Sequence, residues 1–193
     1  MERHELMAGS VTSAAAACGF EPDAVARLDR AHQLAMAPRL EALADDHHPA
    51  YLHPGRTALV LLRDVGPVAL AALCAATVHE SEDAELRVGS ESIRDALGDA
   101  VAEIVTSLPL PGDERLVERL VTLPEGPLLA ALAERLDQLR HAHLREDLAL
   151  WRALYEEAGA AWIPVSERTH PRLADRFRHW YRSFGRRLGR SGG

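Results

Sequence analysis

The stretch "LAALCAATVHESED", Leu70 to Asp83, decides how this chain folds. It begins as a run of apolar and small residues and turns abruptly into His79, Glu80, Glu82 and Asp83. A helix that is apolar nearly all round belongs in the middle of a helical protein. A histidine and acids at its end mark either the point where it reaches solvent or a place where a metal is held.

Helical spacing continues outward in both directions, and no run alternates with period two for long enough to make a strand. The first long helix is expected from about Pro22 to Ala44, with Glu21-Pro22-Asp23 as its start signal. "DDHHPAYLHPG" (45–55) breaks it, a second helix starts near Pro54 and stops at Gly66, and the third runs from Pro67 to about Glu80. Downstream, Ser90 or Ser92 caps a short helix, Gly98 separates it from the next, and Pro111 and Pro124 bound another. "LAERLDQLR" (132–140) lies on an amphipathic helix, and "HPRLADRFRHWYRSFGRRL" (170–188) forms the last. The expectation is an all-α bundle of eight or nine helices, one domain over 1–188 with a flexible tail at 189–193.

A chain of 193 residues can bury a core without disulfides. Cys18 and Cys74 sit in alanine-rich surroundings that suit small buried thiols in a reducing cytoplasm. The chain has no membrane-length apolar run and no export-type start, so it reads as cytoplasmic with no membrane partner. Its net charge of −7 argues against nucleic acid as a partner of the whole protein. The basic residues are all arginine, and they concentrate in 166–193.

Three histidine or acid sites stand at helix ends or on inward faces: His53 before Pro54, His79 with Glu80, and Glu134 beside Leu132, Leu136 and Leu139. Imidazoles and carboxylates from separate helices can fill half the shell of a divalent ion, leaving positions for water and phosphate.

In these blocks the chain resembles the HD-domain metal-dependent phosphohydrolases, and among them the alarmone (guanosine tetraphosphate) hydrolases of the RelA/SpoT type. "PAYLHPGRTALVLL" (49–62) looks like the family's "PYxxHPxxVAxIL", and "LAALCAATVHESED" like "LxAALLHDxxED". "ESIRDALGDAVAEIVTSL" (91–108) is similar to "xxIxxxFGxxVAxLVxGVTKL", and "LAERLDQLR" to "LADRLHNLR". The resemblance covers roughly Ala31 to Arg140. It implies a helical HD domain in which His53, His79, Glu80 and Glu134 hold a divalent metal such as manganese. It further implies that Glu82 and Asp83 position or deprotonate the attacking water. Arg56, Arg135 and Gln138 fall on the substrate side, and the substrate is a phosphorylated nucleotide cleaved at a 3′ pyrophosphate.

The chain departs from the family where both metal-binding aspartates become glutamates, at Glu80 and Glu134. One residue is deleted between the HD pair and Glu82-Asp83, which on a helix rotates the downstream residues by about 100°. The family's basic segment for the guanine base has no counterpart in "ALADDHHPAY" (42–51). A degenerate HD domain that binds a nucleotide or a protein is therefore the competing reading.

Blander roles stand beside these. His79 alone reads as a helix C-cap, His47 and His48 as loop residues, and His141 and His143 as solvated helix-end histidines. Arg56 either reaches a phosphate or pairs with an acid such as Asp64. Trp151, Tyr155, Trp162, Trp180 and Tyr181 read as packing aromatics. The arginine-rich last helix reads as a solvated face, with an anionic partner or a homodimer contact as the alternative.

Overall fold

A computed structural model describes residues 2–79, 83–110 and 113–191. Among these residues the protein is all α, with no strand. The helices are α1 (Arg3–Ala17), α2 (Pro22–Ala42), α3 (His53–Val60), α4 (Leu70–Val78), α5 (Ser90–Leu97) and α6 (Asp99–Ser107). They continue with α7 (Leu116–Thr122), α8 (Glu125–His141), α9 (Leu148–Glu157), α10 (Ile163–Thr169) and α11 (Pro171–Ser191). No helix is long and apolar enough to cross a membrane among the described residues.

α4 is the centre, packed against α2, α3, α6 and α8. Every residue from Ala72 to Val78 is buried. Its small side chains let the neighbouring helices approach closely, and Leu73 fills the space that remains. Burial raises the Cys74 thiol to about 11, which keeps it protonated and inert.

α1 was not legible in the sequence. It is rich in alanine and weakly amphipathic, and it is held by burying Val11 and Ala15 against α2 and α3. The closest approach is at Gly55 of α3, where an added Cβ would collide with Met7 Cγ and lie 3.1 Å from His32 Nε2. α3 then runs into a π-helical turn, Leu61–Val65, which Gly66 ends at φ 102°. Gly98, at φ 86°, separates α5 from α6. Neither Ser90 nor Ser92 caps α5, because Gly89 is the N-cap and no side chain bonds there. α11 continues through Gly189 to Ser191, beyond the point where the sequence places a tail.

A second π-helical turn, Ala158–Trp162, joins α9 to α10, and α11 packs back on both. The aromatics do the packing. Tyr155 and Tyr181 stack at 3.9 Å, and Trp180 and Phe184 at 4.7 Å. Asp64 in the first π-turn accepts from Arg176 Nη2 at 2.9 Å, with Arg140 Nη2 3.6 Å away. Arg56 does pair with an acid, but the acid is Asp137, 2.9 Å away, and not Asp64.

His32 of α2 is buried beside Gly55 of α3, and its Nε2 has no hydrogen-bond partner among the described residues. Burial lowers its pKa from 6.5 to about 4, with Asp29 opposing and His4 and Arg39 adding to the shift. The unfolded chain therefore takes up this proton first, and stability is lost as pH falls from 6.5 towards 4. The loss amounts to roughly 3 kcal/mol. Denaturant titrations at pH 7 and pH 4.5 should show a smaller acid loss for His32→Leu than for wild type. Gly55→Ala should cost about 1–3 kcal/mol through overpacking, most of it recovered in combination with Met7→Ala, as read by thermal melting.

Candidate functional site

α3 and α8 place His53 opposite Glu134 and Asp137. Pro54 at the start of α3 sets the entry angle, so His53 enters the core at 3% exposure instead of lying on the loop. His53 Nδ1–H donates to Asp137 Oδ2 at 2.7 Å, and its Nε2 lies 3.7 Å from Glu134 Oε1. One carboxylate thus fixes the tautomer and the ring, and the other faces the opposite nitrogen. This is how a metal-binding imidazole is commonly oriented.

Asp137 also accepts from Arg56 Nε at 2.9 and 3.1 Å, and its backbone carbonyl accepts from His141 Nδ1 at 2.8 Å. Burial alone would raise the Asp137 pKa. The hydrogen bond and charge of His53, with Arg56, outweigh burial and hold it at about 2. Asp137 is ionised at every physiological pH.

His79 is the C-cap of α4, with its N–H on the Ala75 carbonyl at 2.9 Å. Burial, then the nearby charges of His53, Arg135 and Arg87, lower its pKa from 6.5 to about 3. It is neutral, so it is not a charged cap on the helix dipole; it has the protonation state of a metal ligand.

Arg39, buried on α2, binds the Ala50 carbonyl at 2.9 Å before His53 and the Leu86 carbonyl at 3.4 Å after His79. It ties both flanking loops to one helix. No sequence motif marked this role, or that of Asp137.

A pocket of about 50 Å³ opens beside this network. His53, Arg56, Asp83 and Gln138, all candidates from the sequence, line it together with Asp137, His48 and His141. That volume holds a few waters or an ion with part of its shell, and a whole nucleotide does not fit inside it. Asp83 caps a 3₁₀ turn through the Glu85 N–H at 3.0 Å. Glu80 and Glu82 lie outside the described residues. Arg135, expected on the substrate side, lies away from this pocket. It is buried, its guanidinium 5.2 Å from the Trp162 ring centre and its Nε 3.7 Å from Glu157. The α8 register turns it towards the end of α9 and the second π-turn, which the sequence alone does not reveal.

The donor types at His53, His79 and Glu134 fit manganese or a similar divalent ion. Among the described residues, however, no three His, Cys, Asp or Glu side chains converge closely enough to hold one. No protein-family model matches the chain, and no curated protein matches it significantly.

Removing one partner of a buried ion pair strands the other. Asp137→Ala should therefore destabilise the fold by about 3–5 kcal/mol, and Asp137→Asn, which keeps the shape and one acceptor, by less. Urea unfolding at pH 7 measures both.

Proposed function

We propose that this protein is a divalent-metal-dependent phosphohydrolase of the HD type, acting on a phosphorylated nucleotide, with guanosine tetraphosphate as the first candidate. The observation that carries this reading is the buried His53–Glu134 approach at 3.7 Å, with the far side of the imidazole held by Asp137. His53, His79, Glu80 and Glu134 would hold the ion. A divalent cation, when bound, acidifies a water and neutralises charge on the phosphoryl group.

The rest of the chemistry belongs to the side chains. Asp137 keeps His53 in one tautomer. Asp83 on the pocket wall, with Glu82, positions the attacking water and takes its proton. Arg56 and Gln138 face the leaving group, and the small pocket admits the terminal phosphoryl group of a substrate whose remainder lies outside.

A second reading has its own support. The Arg56–Asp137–His53 network is internally paired, as a structural network would be, which favours a degenerate HD domain that binds without hydrolysis.

Metal content by plasma mass spectrometry, with manganese titration followed by thermal shift, separates the two. The hydrolase reading expects about one equivalent of metal in wild type, lost in His79→Ala and Glu134→Gln. It also expects hydrolysis in a screen of phosphorylated nucleotides. Metal absent from wild type, with His79→Ala as stable as the parent, would favour the binding reading.

A further inference from the structure

α11 carries a charge pattern unrelated to the pocket. Arg172, Arg176, His179, Arg182, Arg186 and Arg190 follow one another at three- and four-residue steps. At that spacing they form one stripe about 27 Å long on a single face. All six are exposed. Arg176 is committed to Asp64, but Arg182, Arg186 and Arg190 have no ion pair among the described residues.

Near the C-terminal end the stripe does not simply face solvent. Arg186, Arg187 and Arg190 converge with Arg140 at the end of α8 and His143 just beyond it around a hollow of about 300 Å³, and among the described residues no acid lines it. A second hollow continues the stripe towards Arg63, Arg172 and Arg182, but Asp64 and Asp175 also line it, so the charge uncompensated by acids is concentrated at the C-terminal end. Arg140 is offset by Asp64, 3.6 Å away, whereas Arg186 and Arg190 stand side by side without an ion pair among the described residues, in a chain of net charge −7. The aromatic packing of Trp180 on Phe184 and of Tyr155 on Tyr181 keeps α11 rigid enough to hold this arrangement.

We infer that this stripe is a binding site for a linear chain of phosphates, held through arginine forks. Guanidinium groups match phosphate oxygens bidentately, and a row of them matches a repeating anion better than a single one. Trp180 and Phe184 are buried at 6% and 5% exposure, so the stripe has no stacking platform for bases. Binding therefore runs through charge alone and ignores sequence. The site is independent of the hydrolase reading and stands or falls without it.

The test is fluorescence anisotropy of the whole protein with labelled inorganic polyphosphate, and separately with labelled single-stranded RNA, across a salt series. The controls are polyglutamate of matched charge and the surface variant Arg94→Glu/Arg115→Glu. At least one phosphate probe should bind, with a log–log salt slope near about −3 for four neutralised phosphates. Arg186→Glu/Arg190→Glu should weaken it by at least about tenfold and flatten the slope, while the control variant binds as wild type. Binding of polyphosphate alone, or of RNA as well, supports the site and assigns the source of the phosphates. Three results would overturn it: no binding of either probe at low salt, equal binding by Arg186→Glu/Arg190→Glu, or polyglutamate binding as tightly as both phosphate probes.

Discussion

Asp137 is the interaction on which the site depends. It is an ionised carboxylate in the core, and its cost is offset only because His53 and Arg56 both donate to it from α3. That demand fixes the rotation of α8 against α3, and with it the direction of the His53 ring and the distance to Glu134. A neutral residue at 137 would leave His53 without its orienting partner and Arg56 free to swing into solvent. The geometry beside the pocket is thus set by one charge that needs two donors.

Around that charge, α4 supplies the rigid background. Its alanines bring α2, α3, α6 and α8 close enough to bury His79 at its end, and burial keeps His79 neutral. Arg39 performs the complementary task for the loops. One buried guanidinium bonded to backbone on both sides holds the segment before His53 and the turn after His79 to the same helix. Packing thus fixes the protonation state of the histidine, and hydrogen bonding fixes the loops that frame it.

Parts of this were legible in order along the chain. His53 before a proline, His79 at the end of an apolar helix and Glu134 on an inward face are local patterns, and the fold buries all three. Asp137 shares the inward face of Glu134, three residues before it, but its role was not legible, because a carboxylate there has no identifiable partner until α3 is placed against it. The surroundings of Arg135 were not legible for the converse reason. A motif match put it on the substrate side, while α8 carries it onto Trp162 of the second π-turn.

The sequence by itself determined the helical class, most helix limits and the burial of the third helix. Apolar period, proline and glycine act within a few residues and need no partner to be read. It also determined the charge of the last helix, since composition is independent of fold. The tertiary structure alone decided which acid meets His53, where Arg56 and Arg135 point, that α1 exists as a packed helix, and that arginines of α8 and α11 share one hollow. Each of these is a pairing between residues far apart in the chain, and burial and charge compensation select such pairs only once the helices have packed.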